Sequence, residues 1–213
     1  MPKSWATMET SSMFKEHNPR INDYAQSNAE RFSRTIMMVA LSIQQPWSSV
    51  GNQIESMLDE GKASRFVWGN KAKTYEWLKA NGEDLYQRVM DLETTSERML
   101  ALTEIPGMGL VKAGFIMQLV FGEVGCIDLH NIKLYGVEPK RLAWSNSLKT
   151  ETKIKKIVGY LELCQQLGGS EFLWDEWCYH LASKNPNNFV DGDQVSAVHL
   201  SYLTSNDERG AIL

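Results

Sequence analysis

A glycine turn, a lysine and an aspartate lie close together in the middle of this chain. Gly107 and Gly109 favour a tight turn that leaves backbone N–H groups open to a ligand. The apolar pattern that follows predicts a helix over 110–121, and the first turn of a helix binds anions such as phosphate. Lys112 lies in that first turn, and Asp128 follows the helix. A carboxylate stabilises developing positive charge, so the pattern predicts catalysis beside a bound phosphate.

Spacing alone gives Asp128 two interpretations. The residue precedes a predicted helix over 129–135, and Asp is among the residues preferred at a helix N-cap. The carboxylate is therefore either a cap alone or a group that acts on a ligand near the turn.

This stretch resembles the helix-hairpin-helix and catalytic-aspartate region of the endonuclease III-type DNA glycosylases. The family reads approximately LPGVGxxxA, then FG, then VDTH. The chain has the corresponding elements in the same order: Ile105-Pro106-Gly107-Met108-Gly109, Ala113, Phe121-Gly122 and Ile127-Asp128-Leu129-His130. Upstream, 35–50 is similar to the family's apolar helix ending in LLSxQ, with Gln44 at the glutamine, and 69–73 is similar to its NxKA segment. The matches span about residues 35–135 and continue more weakly to 174–180.

The resemblance implies an all-α, two-lobed helix-hairpin-helix DNA glycosylase fold with the active site in the cleft between the lobes. One lobe would comprise 35–127 and carry the hairpin, and the chain ends 1–34 and 128–213 would form the other. The sequence pattern itself predicts helices at 20–43, 48–60, 71–80, 83–90, 95–102, 110–121, 129–135, 151–167 and 171–183. Helix stops are expected at Gly61, Gly82, Gly122 and Gly168-Gly169. The first thirty residues, anchored by Trp5 and Phe14, and the tail 185–206 are expected to be irregular.

The implied activity is base-excision repair, in which a damaged nucleotide is extruded from the duplex and its N-glycosidic bond is cleaved. By resemblance Asp128 is the catalytic carboxylate. Bifunctional members carry a Schiff-base lysine at the position of Val111, one residue before Lys112, and one residue is about 100° of helix rotation. Whether Lys112 attacks the sugar or contacts a phosphate therefore stays open. An oxidised purine such as 8-oxoguanine is the leading substrate, followed by an oxidised pyrimidine, uracil or an alkylated base.

The remaining site predictions concern DNA contacts and the base pocket. DNA-binding residues are predicted at Gln44, Gly107, Met108, Gly109, Val111, His130 and Lys133. Pockets for flipped bases stack the base on aromatic rings and hydrogen-bond its edge with a few polar groups. The predicted pocket residues are Trp47, Trp68, Trp174, Asp175 and Trp177, with Phe172 and Tyr179 as further aromatic candidates. The resemblance places the family's last helix, which contributes to the pocket, at Trp174, Asp175 and Trp177. Aromatic residues in helices are also common in protein cores, and both interpretations stay open here.

Charge is distributed unevenly along the chain. The net charge is −4, although phosphate contacts supply much of the affinity of DNA-binding proteins. Between residues 133 and 156, seven basic residues stand against Glu138 and Glu151: Lys133, Lys140, Arg141, Lys149, Lys153, Lys155 and Lys156. This segment is either a solvated surface or a DNA-facing rim, and Arg65, Lys71 and Lys73 are a second candidate strip. The expected partner is double-stranded DNA with a damaged base, bound by a monomer.

The cysteines bear on cofactors. Many members of the family hold an iron–sulfur cluster on four closely spaced cysteines, and this chain has three, widely separated: Cys126, Cys164 and Cys178. We therefore expect no cofactor and no metal, and we assign Cys178 and His180 to core packing. The sequence lacks a signal-like N-terminus or a membrane-length apolar run, so a cytoplasmic location, nucleoid-associated or nuclear by source, is the default.

Two other classes of function stay open. A non-catalytic helix-hairpin-helix DNA-binding module would keep the hairpin and use Asp128 only as a cap. A helical scaffold without a nucleic-acid role is the third interpretation.

Overall fold

The computed structural model describes residues 12–60, 65–204 and 207, and the regular structure in these ranges is helical. A single 3-10 turn, Trp47–Ser49, lies between α2 and α3. The α-helices are α1 Met13–Gln26, α2 Ala29–Leu41, α3 Val50–Glu60, α4 Asn70–Asp91, α5 Thr95–Leu102, α6 Leu110–Phe121, α7 Leu129–Tyr135, α8 Pro139–Leu142, α9 Thr150–Gln166, α10 Gly169–Lys184 and α11 Gly192–Thr204. The prediction of an all-α protein is therefore confirmed for the described residues.

Helices α2 and α6 form the centre of the core. Every residue from 32 to 41 in α2 and from 113 to 120 in α6 is buried, and the two helices pack against each other. A helix that is buried on all sides must be apolar around its whole circumference. This explains why 35–43 and 111–121 are the most apolar runs of the sequence. Helix α2 ends at the pocket described below, and α6 begins there.

The two ends of the described chain pack together. Helix α1 contacts α6, α10 and α11. Asn22 donates its amide to the carbonyls of Gln118 and Leu119 at 3.2 and 2.8 Å, and Gln26 donates to the carbonyl of Val120 at 2.6 Å. The last carbonyls of a helix have no partner within the helix. Side chains of α1 thus satisfy the C-terminal end of α6 and fix its direction.

The helices around the glycine turn begin and end where the sequence predicted. Thr94 and Glu97 form a capping box at the start of α5. Gly122 ends α6 with φ of 70°, a left-handed conformation that glycine adopts without steric cost. These bounds are set by local hydrogen-bonding groups, which a sequence shows directly.

Gly82 was wrongly predicted to end a helix. It lies inside α4, which runs without interruption from Asn70 to Asp91. A Cβ at Gly82 would lie 2.7 Å from the Oγ of Ser33 on α2. The glycine is therefore present because α2 and α4 approach closely, and the two helices predicted at 71–80 and 83–90 are one.

The chain ends were also wrongly predicted. The first thirty residues were expected to be irregular, yet α1 spans Met13–Gln26 with Pro19 inside it, and the helix predicted from 20 to 43 breaks between Gln26 and Ala29. The tail contains α11, which buries Val195, His199 and Leu203 at four-residue spacing. Packing of α1 on four other helices outweighs the cost of an internal proline. Trp5 and Gly61 lie outside the described residues, whereas Phe14 packs edge-on against Trp174 at 6.3 Å.

Within the described ranges, each helix is too short or too polar to cross a bilayer.

Candidate active site

Residues from four parts of the chain line one pocket of about 460 Å³. They come from the turn after α2, the first half of α6, the loop into α7, and α10. The lining residues are Ser42, Gln44, Gln45, Pro46, Trp47, Val111, Lys112, Phe115, Cys126, Asp128, Leu129, His130, Trp177 and Leu181. Ligand sites of enzymes have volumes of about 300–1,000 Å³, so the pocket has room for a small organic group.

Asp128 lies at the N-cap of α7 and also faces this pocket. Its Oδ1 accepts hydrogen bonds from the backbone N–H groups of His130 and Asn131 at 2.8 and 3.0 Å. Its Oδ2 accepts from Nε1 of Trp177 at 3.2 Å. A carboxylate offers about four lone-pair sites, so three donors fix its orientation and leave one site for a ligand. Both interpretations of Asp128 are therefore compatible with one position: the carboxylate caps a helix and lines a cavity.

Lys112 lines the same pocket as Asp128. The register argument had left open whether this lysine faces the cavity or the phosphate backbone, and the structure places it at the cavity. Its Nζ lies 6.0 Å from the centre of the Phe115 ring. Nearby Lys71 is buried and donates from Nζ to the carbonyl of Leu41 at 2.9 Å. Burial, and then the positive charge of Lys112, lower the pKa of Lys71 below its usual value.

Two kinds of side chain make up the lining. Gln44, Lys112, Asp128 and His130 form a polar wall. Trp47, Phe115 and Trp177 form an aromatic wall, in which the ring centres are 5.4–6.0 Å apart. Tilted and edge-to-face pairs at these distances are favourable. The Trp177–Asp128 hydrogen bond joins the two walls.

Behind the aromatic wall lies a buried histidine, His199. Its ring centre is 4.5 Å from that of Trp47 and 5.2 Å from that of Trp177. Nδ1 lies 2.9 and 3.2 Å from the carbonyls of Val195 and Ser196, which only accept, so Nδ1 carries the ring proton. Complete burial lowers the pKa of His199 to about 3. The imidazole is therefore neutral at physiological pH and acts as a flat packing surface.

Gln44 has a strained backbone at the pocket edge. Its φ is 56°, the one positive value among the described residues other than glycine. Such conformations cost about 1–3 kcal/mol and concentrate at functional sites. The side chain is exposed and lines the pocket. Lys71 binds the carbonyl of Leu41, the last residue of α2, and so holds the start of this turn.

The chain turns tightly between α5 and α6, and the N–H of Met108 closes this glycine turn by donating to the carbonyl of Ile105 at 3.0 Å. Gly107 has φ of 84°, and a Cβ there would lie 3.3 Å from Cβ of Asn70. Thr74 donates to the carbonyl of Pro106 at 2.6 Å and ties the turn to α4. Helix α6 begins at Gly109 without a side-chain cap, so its first N–H groups have no partner within the helix. Met108 is buried in the core, and its N–H is occupied by the bond to Ile105, so neither its side chain nor its N–H is available to a ligand at the turn.

The loop that leads to Asp128 is held from behind. Tyr160 on α9 donates to the carbonyl of Gly125 at 2.9 Å and accepts from the N–H of Ile127 at 3.1 Å. Gln118 accepts from the N–H of Cys126 at 3.2 Å. A Cβ at Gly114 would collide with the Tyr160 hydroxyl, so the glycine makes room for this contact. Buried side chains thus position the carboxylate through the backbone of the preceding residues.

His180 is a pocket-side residue that the sequence argument missed. Its Nε2 lies 3.0 Å from Nδ1 of His130, and burial, then His130, lower the pKa of His180. The assignment of His180 to core packing is corrected, because the ring is only partly buried. The available signal was spacing: His180 follows Trp177 by three residues, so both lie on one face of α10.

Several predicted pocket residues lie elsewhere. Trp68 is 61% exposed and does not line the pocket. Trp174 is buried and donates to Oγ of Ser196 at 2.8 Å. Asp175 accepts from the N–H of Phe14 at 2.9 Å. Trp174 thus connects α10 to α11, and Asp175 connects α10 to α1. The ring of Trp174 lies behind the aromatic wall, with its centre 6.2 Å from that of Trp177, one turn later on the same face of α10. Phe172 and Tyr179 do not line the pocket either.

The basic residues of 133–156 are exposed or half-buried. Among the described residues, none of the seven forms an ion pair. Lys133 lies on α7 outside the pocket lining. The prediction of a second basic strip, formed by Arg65, Lys71 and Lys73, was wrong, because Lys71 is buried in the core.

The three cysteines are unpaired and buried, and burial raises the pKa of each thiol. Within the described residues, one group has ligand atoms close enough for a metal ion: Glu16, His17 and Asp193. Its residues lie on α1 and α11, outside the pocket lining, and His17 Nε2 pairs with Asp193 Oδ1 at 2.8 Å.

Comparisons of the chain with protein-family models, with curated proteins and with solved structures find no match.

Proposed function

We propose that this chain is a DNA glycosylase that extrudes a damaged base into the pocket and cleaves its N-glycosidic bond. One observation carries the proposal. Gln44, Lys112 and Asp128, predicted from separate motifs to act together, line a single pocket. The comparisons neither add to this proposal nor weaken it.

The position of the pocket supports the proposed division into two lobes. Five of its lining residues follow position 127 and the others precede it: the five are Asp128, Leu129, His130, Trp177 and Leu181. The proposed lobes are 35–127 and the combined ends 1–34 and 128–213. The proposed active site then lies between the lobes, where a duplex can approach.

Asp128 has the surroundings that this reaction needs. As the base leaves, positive charge develops on the sugar, and a fixed carboxylate stabilises it. Three N–H donors orient Asp128 before a substrate arrives. Such pre-orientation avoids the cost of arranging the charge during the reaction.

Lys112 is the proposed nucleophile for a bifunctional reaction. Its neutral amine would form a bond to C1′ of the sugar while the bond from C1′ to the base breaks, and the departing base would take up a proton. Transfer of the remaining amine proton to the ring oxygen O4′, as the bond from C1′ to O4′ breaks, opens the sugar ring and gives a Schiff base. Loss of a proton from C2′ then expels the 3′ phosphate and cleaves the strand. Lys112 is the lysine in the pocket lining, which supports this role over a contact with the outer phosphates.

The aromatic wall supports a planar substrate group. Trp47, Phe115 and Trp177 offer π-faces and edges on which an extruded base can stack. An oxidised purine such as 8-oxoguanine is the leading proposal for that base, with an oxidised pyrimidine, uracil or an alkylated base as the other candidates.

A panel of duplexes tests the function. Each duplex carries a single lesion, and free base is measured by chromatography under single-turnover conditions. Release from at least one lesion supports the proposal. If every duplex is bound and none loses a base, the protein is the non-catalytic DNA-binding alternative. Failure to bind any duplex at low salt contradicts both.

Borohydride trapping tests Lys112. Reduction of a Schiff base yields a stable covalent adduct between protein and DNA, which we expect for wild type and not for Lys112→Ala. Lys73→Ala is the matched control, since Lys73 is an exposed lysine on α4 outside the lining. An adduct that persists in Lys112→Ala assigns the chemistry to another amine.

A further inference from the structure

We propose that Trp144, Lys149, Lys153 and Lys156, here called the α9 strip, form a second duplex-binding surface continuous with the glycine turn. This inference rests on the proposed function and extends it: the strip would bind the phosphate backbone of undamaged DNA that flanks the lesion.

The strip starts at the glycine turn itself. A Cβ at Gly109 would lie 3.3 Å from Cβ of Trp144, so the 143–149 loop packs directly on the N-terminal end of α6. Nζ of Lys153 lies 5.9 Å from the Trp144 ring centre. Helix α9 also packs against α5, the helix that enters the turn. A ligand phosphate at the turn therefore has Trp144 and Lys153 as its neighbours.

The lysines of the strip lie at the start of α9. Lys153 and Lys156 are three residues apart, a spacing that puts two side chains on one side of a helix, and Lys149 is the N-cap residue that directly precedes α9. Lys153 and Lys156 are half-buried, whereas Lys149 is exposed. Lys155 and Glu151 point to other sides of the same helix. Glu151 therefore does not compensate the positive charge of the strip.

Duplex DNA is the partner that best fits this surface. The chain has a net charge of −4, yet three lysines stand together without an ion pair to a described residue. Like charges at close spacing repel, which a row of phosphates relieves. Trp144 offers its partly exposed ring beside them, with Nε1 donating to Asn146 at 3.1 Å. The lysines of the strip would contact phosphates and not base edges, so their binding would be independent of base sequence.

The salt dependence of binding tests this proposal. The affinity for an undamaged duplex of about two helical turns is measured by fluorescence anisotropy from 50 to 300 mM salt. Each phosphate contact contributes about 0.9 to the slope of log affinity against log salt. We expect Lys153→Ala to reduce the slope by about one, and the triple variant Lys149→Ala/Lys153→Ala/Lys156→Ala by about three. Lys155→Ala is the matched control on the same helix and should leave the slope unchanged.

The outcomes separate this surface from the catalytic proposal. Slopes that are equal in wild type, the triple variant and Lys155→Ala overturn the strip, whether or not a base is released. Equal losses in Lys153→Ala and Lys155→Ala also overturn it, because they indicate a general charge effect. A reduced slope in the triple variant, with circular dichroism unchanged, supports the strip even if every lesion in the panel remains intact.

Discussion

The polar wall and the aromatic wall of the pocket differ in how the chain builds them. Three of the four polar-wall residues, Lys112, Asp128 and His130, lie within nineteen positions of one another, and their placement follows from α6, one loop and the start of α7; the fourth, Gln44, comes from the turn after α2. Trp47, Phe115 and Trp177 come from segments far apart and meet only in the folded protein. The polar wall offers charge and hydrogen bonds, whereas the aromatic wall offers a surface. Chemistry is therefore encoded locally in this chain, and the shape of the cavity is encoded globally.

Replacement of Asp128 by Asn should have the largest effect on the polar wall. Asn is as good an N-cap as Asp, so the fold should remain, while the negative charge beside the sugar is lost. We expect base release to fall by about 100- to 1,000-fold, the range seen when one stabilising group is removed. Single-turnover rates measure this. Duplex affinity should stay within about threefold, and an unchanged rate would show that Asp128 is only a cap.

Acid should weaken the aromatic wall through His199. Burial lowers its folded-state pKa to about 3, whereas the unfolded chain has the ordinary value of about 6.5. Between these pH values the unfolded chain binds a proton that the folded protein does not. The contribution of neutral His199 to the free energy of unfolding is therefore fully present above about pH 6.5 and is lost as the pH decreases. From pH 7 to 4.5 the loss should be about 3 kcal/mol, measured by urea unfolding. In His199→Phe this pH dependence should be smaller.

Direct titration provides a check that does not depend on the variant's folding. In the NMR spectrum of wild type, the His199 ring signals should stay those of a neutral imidazole down to pH 4.5. A midpoint near 6.5 would contradict the proposed neutral packing role.

Replacement of Trp177 by Phe should disconnect the two walls. Phe keeps a ring against Trp47 and Phe115 but removes the N–H that Asp128 accepts at 3.2 Å. A hydrogen bond to a charged group contributes about 1.5–3 kcal/mol, part of which water replaces. We expect base release to slow by about tenfold, which corresponds to roughly 1.4 kcal/mol. Trp174→Phe is the control, since its N–H binds Ser196 outside the pocket, and an equal loss there would indicate general repacking.

Replacement of Gln44 by Gly should have the smallest effect on stability and should raise it. Glycine adopts φ of 56° without strain. The relief, less the added freedom of the unfolded chain, should be between about 0 and 1 kcal/mol. Thermal unfolding measures this change. Base release should decrease at the same time, because the side chain at the pocket edge is lost; an unchanged rate would exclude Gln44 from the site.

Sequence reasoning was accurate where local groups decide the structure. The capping box at Thr94, the left-handed Gly122 and the Asp128 cap fixed the limits of α5, α6 and α7. It failed where packing decides. Gly82 signalled a helix stop, yet it serves a close approach of two helices. The first thirty residues were expected to be irregular, yet contacts with other helices hold Met13–Gln26 in α1 despite Pro19.

The same distinction applies to the candidate site. Asp128 and Gln44, which the family resemblance predicted, line the pocket, and so does Lys112, whose direction the register argument had left open. His180 and His199, which contact lining residues without lining the pocket themselves, were not predicted, because these contacts join residues 50 or more positions apart. Trp68 was chosen for its residue type, and Trp174 also because the resemblance places the family's last helix at the pocket. Neither reason tells an exposed or core tryptophan from one that lines a cavity.

Tyr160 connects α9 to the loop that carries Asp128. One helix carries the lysines of the α9 strip near its start and, one turn beyond Lys156, the hydroxyl that holds Gly125 and Ile127. Ile127 directly precedes Asp128. Helix α9 therefore connects the surface that would bind the DNA backbone to the carboxylate that would act on the sugar. The affinity for DNA outside the lesion and the orientation of Asp128 at the lesion would therefore both depend on this one helix.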